Sequence, residues 1–223
     1  MKKINKTSES AAADVQFAVA ESYKTIRTNL QFLLNRVEGC KVIAVSSAQA
    51  GEGKTTNSVN LAISFSQLGK KVLLIDADLR RPSIAKKLKI ENNDGLSGIL
   101  AGFSSADRAI VNINPTFSVL PSGAIPPNPS ELLASPEFEM LISSVRASYD
   151  YIIIDTAPAG IVSDALSVAH LSEGLLLVVK AKSTTYHDFE KVVDSLKLAN
   201  ITLLGVVLNG SEVGEHYSNY RSM

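Results

Sequence analysis

Apolar side chains at Val15, Val19, Tyr23, Ile26, Leu30 and Leu33 or Leu34 return every three or four positions, the spacing of one face of an α-helix. The spacing predicts an amphipathic helix over residues 14–36 with Asp14 as its N-cap. Beyond it the pattern changes to short unbroken apolar runs. The run Lys41–Ser46 ends in small polar residues and glycines and reads as a buried strand entering a loop. A helix is expected from Lys54 to about Leu68, stopped by Gly69. Further runs at Val72–Ile75, Tyr151–Ile154, Leu175–Val179 and Leu203–Leu208 each lie beside helix-like material. Strands alternating with helices join most simply as right-handed crossovers in a parallel sheet covered on both faces. The expected class is therefore α/β, with a mostly parallel twisted sheet flanked by helices in three layers. Six of the eight prolines (Pro115, Pro121, Pro126, Pro127, Pro129 and Pro136) fall between Asp107 and Pro136. Proline fixes φ and lacks a donor, so this stretch is expected to be a surface connection without regular helix or central strand.

Composition narrows the reading. The 223 residues show no repeat and no shift that would mark a second domain, so one domain over residues 1–210 is expected. A polar, glycine-containing tail over 211–223 should follow. Lysine plus arginine equals aspartate plus glutamate at 22 each, which leaves no global basic field to attract nucleic acid, and no such partner is expected. The run Gly174–Val179 is about a third of the roughly 20 residues a membrane span requires. The N-terminus lacks the apolar stretch of a secretory signal, so a cytoplasmic location is expected. Cys40, the single cysteine, is expected to act as a small buried or half-buried apolar residue. His170, His187 and His216 lack ligand spacing and read as surface or packing residues.

Chemistry enters after the first strand. Residues 47–56, Ser-Ala-Gln-Ala-Gly-Glu-Gly-Lys-Thr-Thr, match a phosphate loop of pattern G-x-x-x-x-G-K-[ST] at Gly53, Lys54 and Thr55, with Ala48 where the first glycine stands. Gly51 and Gly53 allow backbone N–H groups to converge on phosphate oxygens, and the positive end of the following helix adds favourable potential. Lys54 is expected to reach the β- and γ-phosphates and the Thr55 hydroxyl to ligate Mg²⁺. Asp76 and Asp78 follow the second strand at spacing i, i+2, which turns both toward one Mg²⁺–phosphate centre; the blander reading is a turn-forming pair with Arg80 as a solvated partner. Asp155 ends the run Tyr151–Ile154 and adds a third strand-end carboxylate.

Taken together, the phosphate loop, the segment Asp76-Ala-Asp78-Leu-Arg80-Arg81-Pro82, the segment Ile154-Asp155-Thr156-Ala157-Pro158 and the segment Gly123–Leu133 resemble the bacterial tyrosine autokinases of capsular and exopolysaccharide biosynthesis, a branch of the P-loop ATPases. The resemblance covers essentially the whole chain. It implies a three-layer P-loop NTPase fold, with ATP and Mg²⁺ as cofactors. Gly51, Glu52, Gly53, Lys54, Thr55, Thr56 and Asn209 would form the nucleotide site. Thr55, Asp78 and Asp155 would belong to the metal or its waters, and Asp76 would accept the proton of the attacking tyrosine. With Lys54 the three acids make the catalytic set, their division of labour left open. Asn209 falls where related ATPases contact adenine, or else is a strand-end turn residue before Gly210. Tyr217 and Tyr220 would be the phosphoacceptors, or incidental aromatics of a mobile tail that is sparser in tyrosine than the family's. Glu21, Lys24 and Arg27 look like the family's subunit-contact motif with lysine replacing the middle arginine, or are simply a solvated helix face. Ala50 stands where relatives commonly have proline, which leaves the loop less pre-ordered.

The implied activity is ATP-dependent autophosphorylation of tail tyrosines between subunits, regulating polysaccharide polymerisation and export. The implied partners are a membrane-spanning activator that holds the kinase at the inner face of the membrane, a homo-oligomer of ring type and a protein-tyrosine phosphatase. The alternative is a partition or site-placement ATPase. Those relatives usually carry a lysine early in the phosphate loop, where this chain has Gln49.

Overall fold

The computed structural model describes residues 3–91 and 94–211, with side chains from Val15 onward. Helix α1 (Lys3–Leu33) begins well before Asp14, which lies inside it and is not an N-cap. Ala11–Ala13 are the strongest helix formers available, so nothing at Asp14 stops the helix from extending backward. The helix also ends at Leu33, short of residue 36. Its packed face is Ala18 and Leu30, continued by Leu34 just past its end, with Tyr23 and Ile26 half-buried, whereas Val15 and Val19 are 53% and 43% exposed. The cause is length. At 31 residues, α1 is about 46 Å long and outruns the 13-residue helix α2 (Lys54–Ser66) on which it lies.

Between them runs β1 (Lys41–Ser47), and after α2 comes β2 (Val72–Asp76), with Gly69 taking up the left-handed turn at φ 74°. Short helices α3 (Ile84–Leu88), α4 (Leu96–Leu100) and α5 (Ala106–Ala109) precede a hairpin of β3 (Val111–Asn114) and β4 (Phe117–Leu120). Then follow α6 (Pro129–Leu133), α7 (Pro136–Arg146), β5 (Tyr151–Asp155), α8 (Asp164–Ala169), β6 (Gly174–Lys180), α9 (Tyr186–Leu198) and β7 (Leu203–Asn209).

The seven strands form one sheet in the order β3-β4-β2-β5-β1-β6-β7, parallel except for β3. The proline-rich stretch is therefore not a bare surface connection. It supplies an edge strand, the fully buried interior strand β4 and helix α6. The prolines bracket these elements without interrupting them. Pro115 sits in the hairpin turn, Pro121 just past β4, and Pro129 and Pro136 occupy the first turns of α6 and α7, where a missing N–H costs nothing.

Alternation along the buried strands feeds two cores. Val72, Leu74, Tyr151, Ile153, Ile43 and Val45 meet Leu61, Ala62 and Phe65 of α2 and Leu30 of α1. Leu73, Ile75, Ile152, Ile154, Val42 and Ala44 meet Phe138, Leu141, Val168 and Val192 from α7, α8 and α9. Three layers result, as expected. Phe65 stacks on Tyr151 with ring centroids 3.9 Å apart. Cys40 is buried, and burial pushes its thiol up to about 11. Among the described residues no helix is long and apolar enough to cross a membrane.

By period two, Asp76 and Asp155 extend the strand faces of Val72 and Leu74 and of Tyr151 and Ile153, the face covered by α2. Their strands are neighbours, and Asp76 stands opposite Asp155 in register. The site consequently forms at the carboxyl ends of the central strands, where parallel sheets bind ligands.

Candidate active site

The loop between β1 and α2 turns through Gly51 and Gly53, both left-handed at φ 79° and 95°. Gly53 is required twice over, because a Cβ there would lie 2.2 Å from the Asn209 amide nitrogen. The two carbonyls ahead of Lys54 are both held by side-chain amides. Asn209 Nδ2 donates to Glu52 O at 2.8 Å, and Asn57 Nδ2 donates to Gly53 O at 2.9 Å. Glu52 is buried and its carboxylate turns into the loop, accepting from Gln49 N at 2.8 Å and from the Thr184 hydroxyl. Gln49 Nε2 in turn donates to Asp188 Oδ1 at 3.1 Å, and Asp188 N donates to the N-cap hydroxyl of Thr185. Glu52 and Asn209 thus shape the loop from within. Thr56 lies on its exposed side, accepting from Lys87 Nζ at 3.1 Å.

Four residues singled out by sequence converge beyond the loop. Lys54 Nζ is 2.7 Å from Asp78 Oδ2 and 3.6 Å from Asp155 Oδ2. Thr55 Oγ1 donates to Asp155 Oδ2 at 2.7 Å, and Ser58 Oγ donates to the other oxygen at 2.9 Å. Asp76 lies on the neighbouring strand, opposite Asp155 on the same rung. Its Oδ2 accepts from the backbone N–H groups of Ser83 and Ile84 at 3.1 and 2.9 Å, and its Oδ1 from Asp78 N at 3.3 Å. Burial, reinforced by the Asp155 charge, pushes Asp76 up to about 7 against those amide bonds. Burial also raises Asp155, although Lys54, Thr55 and Ser58 pull it down. For Lys54 burial works toward a lower value, but the carboxylates of Asp155 and Asp78 outweigh it and hold the ammonium above its ordinary range.

Arg80 is not the solvated partner of the acid pair. Its Nε and Nη2 bind Asp164 at 2.7 and 3.2 Å, and Nη2 also donates to Ser130 Oγ at 2.8 Å. Ser130 Oγ donates to Asp164 Oδ1 at 2.7 Å, closing a triangle between the acidic segment, α6 and α8. Burial would raise the Asp164 carboxyl, but hydrogen bonds from Arg80 and Ser130 overrule it and hold it below the usual range. The loop after β5 also closes on the phosphate loop, since a Cβ at Gly160 would lie 2.2 Å from the Ala48 carbonyl.

Sequence reasoning missed Ser58, Ser83, Asp164, Ser130, Thr184 and Asp188. Ser58 stands one helical turn beyond Thr55 and was findable by that spacing. Ser83 directly follows the Asp76–Pro82 segment and Ser130 lies within Gly123–Leu133, whereas Asp164, Thr184 and Asp188 come from distant segments with no local signal.

On α1, Lys24 pairs with Glu21 at 2.5 Å on the helix surface. Arg27 Nη1 is taken up inside the chain, donating to Ser64 O at 2.7 Å and to Ser64 Oγ at 3.0 Å. Tyr217 and Tyr220 lie outside the described residues.

The donor set fits Mg²⁺ with a polyphosphate. Among the described residues no three His, Cys, Asp or Glu side chains group as a self-sufficient metal site. Thr55 with Asp78 and Asp155 offers one hydroxyl and carboxylate oxygens, which suits a hard cation that completes its shell with waters and phosphate oxygens. The left-handed glycines and the start of a 13-residue helix turn backbone donors toward the same place.

A family model described as an AAA domain matches residues 40–203. The tyrosine-protein kinase YwqD of Bacillus subtilis is 40% identical over 198 residues, which is 88% of this chain and 83% of that protein. The kinase domain of the Escherichia coli tyrosine kinase ETK superposes with a TM-score of 0.82 at 34% identity, covering 86% of this chain and 75% of that one. The septum site-determining protein MinD of Pyrococcus horikoshii, solved with Mg-ADP, is more distant, with a TM-score of 0.65 at 30% identity over 81% of this chain and 76% of that one. With its phosphate loop, its rung of paired acids and these relatives, the chain belongs to the bacterial tyrosine-protein kinases, within the P-loop fold they share with MinD.

Proposed function

We propose that this chain uses ATP and Mg²⁺ to phosphorylate tyrosines of its own C-terminal tail, Tyr217 and Tyr220, between subunits. The observation that carries the reading is the convergence of Lys54, Thr55, Asp78 and Asp155, with Asp76 opposite Asp155 on the neighbouring strand. Lys54 and the backbone donors of Gly51, Gly53, Lys54 and Thr55 would bind the phosphates, with Thr56 at the exposed side. Asn209 would border the base while holding Glu52 in place. Thr55, Asp78 and Asp155 would hold Mg²⁺, which supplies charge neutralisation for the transferring phosphoryl group. The tyrosine oxygen bonds to the γ-phosphorus as the bond to the β-γ bridging oxygen breaks, and ADP leaves. Asp76 takes the phenolic proton, a role to which a carboxyl near 7 is suited.

Glu21, Lys24 and Arg27 would face or support a neighbouring subunit in a homo-oligomer. The wider setting we propose is regulation of capsular or exopolysaccharide polymerisation and export, with recruitment to the inner membrane face by a membrane-spanning activator and reversal by a tyrosine phosphatase. The test is mass spectrometry of the chain incubated with ATP and Mg²⁺, with and without an activating segment of a candidate membrane partner, with Lys54→Met as the control. Phosphate on Tyr217 or Tyr220 that disappears in the control is expected. Unmodified tyrosines beside steady ATP hydrolysis would move the assignment to a switch ATPase of the MinD kind.

A further inference from the structure

We infer that Tyr23 is a positioning residue for the phosphate loop, acting through Asn57 to couple the seating of α1 to nucleotide affinity. Tyr23 lies between Glu21 and Lys24 on α1 but points the other way, half-buried against α2. Its hydroxyl donates to Asn57 Oδ1 at 3.1 Å, and Asn60, one turn on, also faces the phenol. Asn57 is buried, and its Nδ2 donates to Gly53 O.

A primary amide has one accepting and one donating end. While the phenol engages Oδ1, the NH₂ group is turned away from α1 and toward the loop. The Gly53 carbonyl then accepts twice, from Asn57 Nδ2 at 2.9 Å and from Asn57 N at 3.0 Å. Asn209 Nδ2 holds the preceding Glu52 carbonyl. The peptide planes on either side of Gly53 are thus fixed by two amides, one from β7 and one whose orientation α1 dictates. Those planes aim the N–H groups of Gly53 and Lys54. Four residues along the same face of α1, Arg27 grips Ser64, so α1 is fastened to α2 at both turns. Whatever shifts α1 releases the amide, and by reciprocity a bound phosphate chain tightens the seating of α1.

The inference rests on residues 47–56 binding phosphate, and the experiment separates the two. Mg-ADP is titrated by calorimetry into the full chain, into Tyr23→Phe, into Asn57→Ala and into the double variant, and ATP kinetics are measured in parallel. Tyr23→Phe keeps the ring and removes only the donor. It is expected to weaken Mg-ADP binding about three- to tenfold, the range of a single neutral hydrogen bond, with a smaller change in kcat than in KM. The double variant should bind no more weakly than Asn57→Ala alone, because Tyr23 acts through Asn57. Hydrogen exchange over residues 18–30 should slow with Mg-ADP in the parent chain and not in Tyr23→Phe. A Tyr23→Phe chain that binds as the parent does, or losses that simply add, would overturn the relay alone. Failure of the parent chain to bind Mg-ADP would overturn the phosphate-loop reading and the relay with it.

Discussion

Removal of the Arg80 guanidinium is a sharp perturbation, because it strands a carboxylate that water barely reaches. Asp164 is 1% exposed and Arg80 41% exposed in their side chains. Breaking a fully buried pair by deleting one partner costs about 3–5 kcal/mol. The open side of Arg80 lets solvent screen the pair and Ser130 still donates to Asp164, so the discounted figure for Arg80→Gln is about 1–2 kcal/mol. For a chain of this size that lowers Tm by about 2–8 °C. The assay is urea unfolding of Arg80→Gln, Asp164→Asn and the double variant. The midpoint should fall at unchanged slope, and the double variant should lose less than the sum of the singles, since the second substitution removes the orphaned charge. The sign of the pH dependence also follows. The Asp164 carboxyl is held below its unfolded value, so its contribution is present above roughly pH 4 and lost as pH falls below that. The gap between parent and Asp164→Asn should therefore close in acid. Singles within about 0.5 kcal/mol of the parent, or losses that add in the double variant, would refute the reasoning.

Asp76 should set the acid limb of the rate profile. With its carboxyl near 7, autophosphorylation should rise with pH through that value and then level, and Asp76→Asn should lose both the limb and about 10²-fold or more in kcat. Because the folded carboxyl binds its proton more tightly than the unfolded one, stability should decline as pH rises from about 4 to 7, a slope that pH-dependent urea titrations should find absent in Asp76→Asn. Gly53→Ala combines a disfavoured φ of 95° with a clash against Asn209, so Mg-ADP affinity should fall about tenfold or more; affinity equal to the parent would show that the loop adapts.

Residues contiguous in the chain were the most legible. The phosphate loop, with a buried strand before it and a helix after it, announces its own context, and strand-end acids are visible wherever an apolar run stops at an aspartate. Orientation was not legible. Glu52 sits in the motif between Gly51 and Gly53 yet turns inward to Gln49 and Thr184, the latter from a loop 132 positions away. Arg80 looked like company for Asp78, and only the packing of α8 reveals the carboxylate that claims it. Proline counting misled for a physical reason: a proline forbids the strand position it occupies and says nothing about the next, so Pro115 and Pro121 frame β4 without entering it. The start of α1 was hidden because Ala11–Ala13 favour helix without carrying the apolar rhythm that reveals one.

The shared rung of Asp76 and Asp155 has a consequence for how errors in folding would be filtered. A slip of one residue between β2 and β5 would swing one carboxylate to the far side of the sheet and separate the two acids. The same slip would carry Tyr151 out of the α2 layer and away from Phe65, exchanging it with an isoleucine in a cavity of different shape. Misalignment of the chemistry is therefore inseparable from misfit of the greasy interior, and the side chains that never meet a substrate act as the proofreaders of those that do.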